Sequence, residues 1–224
     1  MTNVGLLYSI EKLEIRGYRT KPVPNTFFRQ DSRASHLAVV FPGFSYRCSE
    51  PLLWYPTRVL LSLRADVLWV EYPYDQQPEF GDSDQQVQKE WLFADSMAAL
   101  EAAEKTRPYG RTTLVGKSLG TLAMGHILST NSAPGEVRAI WMTPVLANSD
   151  LRWVMEKTSS PSLVVIGSAD HYYDRAFVEE LRAKASIEVL VVEGGDHILE
   201  TKDGTIQSID ILKSVVESIS RFVR

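Results

Sequence analysis

Ser118 lies within residues 116–120 (GKSLG), a G-x-S-x-G pattern that follows the apolar stretch 112–115 and opens a helical pattern. A serine at such a strand-to-helix turn stands on a sharp bend, and glycines two residues away on either side remove side chains that would collide. The helix N-terminus also favours negative charge on a nearby substrate oxygen. The pattern predicts Ser118 as a nucleophile, and a glycine-rich turn without activity is the alternative.

Two further loops carry the partners that a serine nucleophile needs. Asp170 follows the apolar stretch 162–166, and His197 follows the apolar stretch 187–192. Because the carboxyl ends of parallel strands meet at one edge of a sheet, we expect these side chains to lie near Ser118. An imidazole there accepts the serine proton, and a carboxylate orients the imidazole. The sequence predicts His197 as the base and Asp170 as its orienting acid.

The turn that follows another apolar stretch, 37–41, offers donors for a negatively charged oxygen. Residues 41–46 read FPGFSY. Acyl-transfer sites bind the oxyanion of the tetrahedral intermediate with backbone N–H groups. We predict that Phe44 and Leu119 supply these two amides and that Gly43 lets the backbone approach the substrate. A plain turn after a strand is the alternative.

Side chains near these turns are candidates for substrate binding. Aromatic rings predict an apolar surface for an acyl or aryl group. These rings are Tyr46, Tyr172, Tyr173, Phe44 and Tyr74. The ammonium of Lys117 is a candidate partner for a carboxylate or phosphate on the substrate, and a solvated or locally paired lysine is the alternative.

Other acidic residues compete for the role of the orienting acid. Asp150 follows the apolar stretch 137–142, and Asp174 lies close to Asp170 in the chain. We prefer Asp170 because it directly ends its apolar stretch. Asp196 is next to the candidate base and is expected to shape the loop instead. Structural roles are predicted for the remaining histidines, which are His36, His126 and His171, the last bordering the pocket.

The three turns belong to a chain that alternates strands and helices. From His36 onward, short β-branched runs precede longer helical patterns, which predicts an α/β fold with a mostly parallel central sheet and helices on both faces. The predicted strands are 37–41, 65–72, 112–116, 137–142, 162–166 and 187–192. The predicted helices are 50–64, 85–105, 119–128, 173–185 and 205–222, with a polar loop at 74–84.

The first thirty or so residues follow a less regular pattern. A strand at 13–18 and a turn around Pro22, Pro24 and Asn25 are expected to form an antiparallel edge of the sheet. Later in the chain, residues 143–160 are too few for a large cap domain. We therefore expect an open cleft covered only by loops.

Composition limits the classes of function. With 224 residues, of which 44% are hydrophobic, the chain can bury one sizeable core, so we expect a single domain spanning 1–224. A net charge of -4, with both signs interleaved, favours neither nucleic acid nor a membrane as a partner. The single Cys48 and the charged residues within 1–18 predict a packing thiol and a cytoplasmic protein.

The motifs resemble those of the α/β-hydrolase superfamily, in particular its compact dienelactone-hydrolase-like and carboxylesterase-like members. Their order along the chain, Ser118 before Asp170 before His197, resembles that superfamily as well. The resemblance extends from Pro42 to the His197 loop. It implies an α/β-hydrolase fold without a large cap, and a Ser-His-Asp hydrolase of small-molecule esters or thioesters. It also implies an acyl-enzyme intermediate and neither a metal nor an organic cofactor. Thr121 departs from the pattern, because glycine or alanine is usual there and close helix packing is put in question.

The oxyanion turn departs as well, since it reads Phe-Pro-Gly-Phe where many members have His-Gly-Gly. The donors are backbone amides, so this change removes no catalytic group. Two other functions use the same fold. One is a catalytically silent binding or scaffold protein, and the other is an acyltransferase or peptidase with the same three residues. The sequence does not indicate the oligomeric state.

Overall fold

The apolar stretches from His36 onward form the parallel part of one sheet. The computed structural model describes residues 8–31, 33–202 and 204–224, and within them the sheet has eight strands. The strands are β1 (Tyr8–Glu11), β2 (Asn25–Gln30), β3 (His36–Phe41), β4 (Asp66–Val70), β5 (Arg111–Lys117), β6 (Glu136–Met142), β7 (Ser162–Gly167) and β8 (Ile187–Val192). Their order across the sheet is β1-β2-β4-β3-β5-β6-β7-β8. The pairs β1 with β2 and β2 with β4 are antiparallel, and all other pairs are parallel.

Helices cover both faces of this sheet. They are α1 (Pro51–Ser62), α2 (Pro78–Gly81), α3 (Gln85–Glu104), α4 (Leu119–Ser129), α5 (Ser149–Lys157), α6 (Arg175–Arg182) and α7 (Thr205–Phe222). Side chains of α1 and α7 pack on one face, and those of α3 to α6 pack on the other. Among the described residues, no helix is both long enough and apolar enough to cross a bilayer.

Strand β3 illustrates why the central strands contain nearly continuous apolar runs. Leu37, Val39 and Phe41 pack on the α3 side, whereas Ala38 and Val40 pack on the α1 side. All five side chains are fully buried. Successive side chains of a strand point to opposite faces, so a parallel strand covered on both faces reads as a continuous apolar run.

Most predicted elements are confirmed, with ends that move by one or two residues. The helix predicted at 173–185 is shorter, because Asp174 caps α6 by accepting a hydrogen bond from the N–H of Phe177. The loop predicted at 74–84 was wrong in part, since it contains a 3-10 turn at Tyr74–Gln76 and the short helix α2. Residues 74–84 therefore hold Phe80 in a buried position instead of forming an open loop.

The antiparallel edge is confirmed, but its predicted strand is misplaced. The sequence predicts a strand at 13–18 and a turn at Asn25, whereas the strand is β1 and Asn25 begins β2. Side chains explain the difference. The Asn25 amide accepts a hydrogen bond from the N–H of Leu13 and donates to its carbonyl, and buried Asp95 accepts one from the N–H of Tyr18. These bonds replace the ladder that a strand at 13–18 needs.

No cap domain interrupts the described residues between β6 and β7, where the chain forms only the nine-residue helix α5. This helix was not predicted from the sequence. Its signals are an Asn148 side chain that accepts a hydrogen bond from the N–H of Leu151 and buried residues Leu151, Val154 and Met155 at helical spacing. Helix α5 forms one wall of the groove described below.

Candidate active site

The turn from β5 into α4 holds Ser118 in a strained backbone conformation, with φ 50° and ψ -115°. Non-glycine residues rarely occupy positive φ, and such strain concentrates at functional sites. The flanking glycines allow the bend. A Cβ on Gly120 would collide with the backbone carbonyl of Phe41, and one on Gly116 would collide with the Gly120 backbone. The glycines are therefore required by close approach, as the G-x-S-x-G spacing predicts.

Thr121 fits the turn in spite of its departure from the family pattern. Its side chain is fully buried, and its hydroxyl donates a hydrogen bond of 2.6 Å to the backbone carbonyl of Ser118. The same oxygen accepts a bond from the N–H of Val145. The hydroxyl is therefore paired, and the close packing of α4 is kept.

Two loops at the carboxyl ends of β7 and β8 bring the predicted acid and base together. The N–H of Ser168 donates to the carbonyl of Val192, and the N–H of Ala169 donates to that of Gly195. A Cβ on Gly167 would collide with the Gly195 carbonyl. Backbone contacts therefore fix the two loops against each other before any side chain of the site is considered.

The three predicted catalytic side chains form a continuous chain of hydrogen bonds. His197 Nε2 lies 2.8 Å from Ser118 Oγ, and His197 Nδ1 lies 2.8 Å from Asp170 Oδ2. The Asp170 side chain is fully buried, and its other oxygen accepts a hydrogen bond from the N–H of Tyr172. This arrangement joins residues that are 79 positions apart in the sequence.

The protonation state of Asp170 determines the direction of these bonds. Burial raises the pKa of Asp170, but hydrogen bonds from His197 and from the Tyr172 N–H outweigh burial and hold it below the ordinary value. An ionised carboxylate only accepts, so Nδ1 of the neutral imidazole carries the proton. His197 Nε2 is then free to accept the proton of Ser118.

The residues of the predicted oxyanion donors line the same groove as Ser118. The turn at 43–46 closes with a hydrogen bond from the N–H of Gly43 to the carbonyl of Tyr46, and a Cβ on Gly43 would lie 3.6 Å from the Cβ of Ser118. Within the described part of the chain, the N–H groups of Phe44 and Leu119 donate no hydrogen bond to a protein acceptor. Both amides are therefore open to an acceptor on a substrate, at the edge of the groove that Phe44, Ser118 and Leu119 line.

An open groove of about 980 Å³ begins at Ser118 and runs between α3 and α5, over the outer face of α4. Phe44 and Tyr172 line it at the nucleophile, as predicted, and the Tyr172 ring lies 5.4 Å from that of His197. The groove is an open cleft, as predicted, and its two walls are helices.

Four predicted substrate contacts do not line the groove: Tyr74, which is buried, Tyr173, which packs against the core, Lys117 and Tyr46. Lys117 is 1% exposed, and its Nζ donates to the hydroxyl of Thr143 at 3.3 Å and to the backbone carbonyl of His197 at 3.2 Å. Tyr46 lies beneath this ammonium, 4.8 Å from Nζ to the ring centre, and its hydroxyl accepts from the N–H of Leu52. Both side chains face the α1 and α7 side of the sheet, whereas the groove lies on the other side.

Replacing Lys117 with methionine is expected to change how stability depends on pH. Burial lowers the pKa of Lys117 from 10.5 to about 8, although the Asp170 and Asp196 carboxylates oppose the shift. Between these values the unfolded chain binds a proton that the folded chain lacks, so wild-type stability rises with pH relative to Lys117→Met. The relative gain approaches about 3 kcal/mol across this window.

Urea unfolding of both proteins at pH 7.5, 9 and 10 measures this difference. Subtracting the variant removes the contribution of groups that titrate in both proteins. A free-energy difference that stays constant from pH 7.5 to 10 would contradict the shift.

The competing acidic residues have partners of their own. Asp150 pairs with Lys89 at 2.5 Å and Asp174 pairs with Arg152, both away from the imidazole. Asp196 accepts hydrogen bonds from the N–H groups of Ile198 and Glu200, which shapes the loop as predicted. Of these candidates, only Asp170 contacts His197.

The other histidines and the cysteine differ in their surroundings. His36 is buried against Thr113, and burial lowers its pKa to about 4. His126 stacks on Phe93 with ring centres 4.0 Å apart, and it lines the groove. Cys48 is buried, and burial raises the pKa of its thiol, which fits the predicted packing role.

His171 is exposed beside the site. Its Nδ1 lies 3.5 Å from Asp170 Oδ1, and its ring centre lies 4.8 Å from that of His197. Potential ligand atoms of these three residues all lie within 4.8 Å of one another, so they form a group that could hold a metal ion. A cation there would compete with the Asp170 hydrogen bond for Nδ1 of His197.

The walls and the floor of the groove were not predicted from the sequence. Leu92 of α3, Leu122 of α4 and Leu151 of α5 line the groove at helical positions that look like ordinary core. One signal was available, because α4 is apolar on more than one side. Ala123 and Met124 pack toward the sheet, while Leu122 faces the groove. An outward apolar face on such a helix indicates a binding surface or a partner.

Comparison with known proteins agrees with this architecture. A family profile described as "Alpha/beta hydrolase domain" matches residues 51–224. Comparison of the sequence with curated proteins gave no match. The structure is similar to that of the esterase Pf2001 of Pyrococcus furiosus, with 15% identity, a TM-score of 0.72, and coverage of 100% of this chain and 95% of the other.

Two further solved structures share the fold. An α/β serine hydrolase without a lid from Xanthomonas campestris has 16% identity and a TM-score of 0.67, and 96% of this chain covers 94% of it. Carboxyl esterase 2 of the fungus Tuber melanosporum has 14% identity and a TM-score of 0.65, with coverage of 99% of this chain and 87% of the other. At these identities the likeness establishes the shared fold.

Proposed function

Since the chain belongs to the α/β-hydrolase family, we propose that it is a serine hydrolase that cleaves a small-molecule ester or thioester. The observation that carries the proposal is the unbroken path from Ser118 Oγ through His197 to Asp170, with 2.8 Å at each hydrogen bond. The esterases among the similar structures agree with this choice of reaction.

The first half of the proposed reaction transfers the acyl group to the protein. Ser118 Oγ attacks the carbonyl carbon while His197 Nε2 takes its proton, and Asp170 stabilises the resulting imidazolium. The carbonyl oxygen gains a negative charge and accepts hydrogen bonds from the N–H groups of Phe44 and Leu119. The imidazolium then protonates the leaving alcohol or thiol, and an acyl-serine remains.

The second half restores the serine. Water attacks the acyl carbon as His197 Nε2 takes its proton, and the same two amides bind the new oxyanion. Collapse of this intermediate returns the proton to Ser118 and releases a carboxylic acid. All of these steps use side chains and amides of the described residues.

Labelling with a fluorophosphonate tests whether the serine is activated. We expect the native protein to be labelled, and Ser118→Ala and heat-unfolded protein to remain unlabelled, because only the folded site deprotonates the hydroxyl. A binding or scaffold protein of the same fold would give no labelling of the native chain. Labelling that persists in Ser118→Ala would place the reactive group elsewhere and contradict the assignment.

A panel of p-nitrophenyl esters and acyl thioesters then tests the substrate class. The free acid is the expected product. Formation of a new ester or amide when alcohols or amines are added would instead indicate acyl transfer, and cleavage of peptides alone would indicate a peptidase.

A further inference from the structure

The groove has a floor made from one face of α4. Leu119, Leu122, Gly125 and Ser129 line it at intervals of three or four residues, which places them on the same side of the helix. With a rise of 1.5 Å per residue, the floor extends about 9 Å from Leu119 to Gly125 and about 15 Å to Ser129. The floor is therefore an elongated track that leads away from Ser118, and this track is longer than an acetyl group.

The near part of this track is apolar on three sides. Leu92 of α3 lines one wall and Leu151 of α5 lines the other, with Leu119 and Leu122 between them. Leu119 and Leu122 are partly exposed, whereas Leu92 and Leu151 are 2% exposed, so the apolar surface that a hydrocarbon can cover with a gain of free energy lies mainly on the floor. Phe44 marks the start of the track at the nucleophile, and its side chain is 45% exposed.

The far part of the track is closed by charge. Lys89 of α3 and Asp150 of α5 form an ion pair of 2.5 Å that joins the two walls, and both line the groove. Nζ of Lys89 lies 5.7 Å from the centre of the Phe93 ring, which stacks on His126 of α4. The ion pair therefore crosses the groove near His126, about 10 Å along the helix from Leu119, and Trp153 and Val154 of α5 also line the groove.

Gly125 occupies the last apolar step of the floor. A Cβ built there points toward α5 and would lie 3.1 Å from Cδ1 of Leu151. A larger side chain at this position would project into the gap between α4 and α5, where a bound chain has to pass. Since Leu151 Cδ1 is the end of a flexible side chain, a substitution can be accommodated by the fold while it fills the groove.

We propose that the outer face of α4 binds the hydrocarbon chain of a medium-length linear acyl ester, and that Gly125 determines how long a chain is accepted. This inference rests on the proposed function, because it places the acyl carbon at Ser118 and lays the chain along Leu119, Leu122 and Gly125. The Lys89 to Asp150 ion pair sets the far limit, since an apolar chain gains nothing by passing charged groups.

The test compares p-nitrophenyl acetate, butyrate, octanoate and palmitate in the wild type, Gly125→Ala and Gly125→Leu. We expect the wild type to prefer octanoate over acetate by about tenfold in kcat/KM and to lose this gain with palmitate. Gly125→Leu is expected to lower the ratio of octanoate to acetate about tenfold, and Gly125→Ala is expected to give an intermediate ratio. Glu101→Leu places the same side chain on an exposed face of α3 outside the groove and is expected to keep the wild-type ratio.

Two measurements separate this inference from the proposed function. Thermal unfolding confirms that each variant is folded, and titration of Ser118→Ala with octanoate in a calorimeter measures chain binding without catalysis. If no ester is hydrolysed, the proposed function fails, while weaker octanoate binding after Gly125→Leu would still support the groove. Hydrolysis with equal kcat/KM for acetate and octanoate, or a ratio that Gly125→Leu leaves unchanged, would overturn the groove assignment alone.

Discussion

Replacing Ser118 with alanine is expected to lower kcat for ester hydrolysis by about 10⁴ to 10⁶-fold, as in other enzymes whose nucleophile acts with a histidine and an acid. The variant loses the atom that forms the acyl intermediate, while the oxyanion donors and the groove remain. Stopped assays with a p-nitrophenyl ester at saturating concentration measure kcat directly.

Folding has to be preserved for this comparison to be valid. Alanine removes the hydroxyl without altering the strained turn, so the thermal unfolding midpoint is expected to stay within a few degrees. Ser214→Ala on the exposed face of α7 is the matched control and is expected to keep full turnover. Full turnover in Ser118→Ala would exclude the catalytic assignment.

Replacing Asp170 with asparagine is expected to lower kcat by about 10⁴-fold with little change in geometry. The amide NH₂ can donate to Nδ1 of His197, which favours the tautomer that carries its proton on Nε2. In that tautomer the imidazole cannot accept the proton of Ser118. The loss of the carboxylate also leaves the imidazolium without a counter-charge.

Two neighbouring acids provide matched controls for this variant. Asp196→Asn keeps an oxygen that can accept from the N–H groups of Ile198 and Glu200, and Asp174→Asn keeps one for the cap of α6. Both controls are expected to retain kcat within a few-fold of wild type. A large loss in Asp174→Asn together with a small loss in Asp170→Asn would move the orienting role to Asp174.

The parallel strands were predictable from sequence for a simple physical reason. Those in the middle of the sheet are covered on both faces, so each contains a nearly continuous apolar run, as residues 37–41 do in β3. The N-terminal edge was harder to predict, because side-chain bonds from Asn25 and Asp95 decide where the chain can pair, and apolar periodicity does not encode such bonds.

The contact between Ser118, Asp170 and His197 followed from chain order and strand ends. Ser118 comes directly after β5, Asp170 and His197 lie in the loops that follow β7 and β8, and parallel strands present their carboxyl ends at one edge. The conformations of the intervening loops were not needed to predict that the three residues lie together. The distances and hydrogen bonds between them came only from the structure. Their catalytic roles stay predictions until the variants above are measured.

The position of Lys117 shows how a side chain can be misjudged in a correctly predicted motif. Its direction follows from strand alternation, because Val115, two residues earlier in β5, packs on the α1 and α7 side. Applied to Lys117, the same rule directs its side chain away from the groove. The position of Lys117 next to Ser118 in the sequence was a weaker guide to the direction of its side chain than strand alternation was.

The open face of α4 was not predictable in the same way. Helix α4 carries apolar residues both toward the sheet and toward the groove. Periodicity alone cannot tell which apolar face is covered by α3 and α5 and which is left open. The spacing between α3 and α5 determines which apolar face of α4 is left open.

The ammonium of Lys117 binds the backbone oxygen of His197, and Lys117 immediately precedes Ser118 in the chain. The segment that carries the hydroxyl is thus tethered to the segment that carries the imidazole. We expect a movement of the loop after β8 to carry both segments in the same direction, which keeps the distance between Ser118 Oγ and His197 Nε2 nearly constant. In the proposed reaction, little reorganisation is then required for proton transfer, even though His197 lies on a loop.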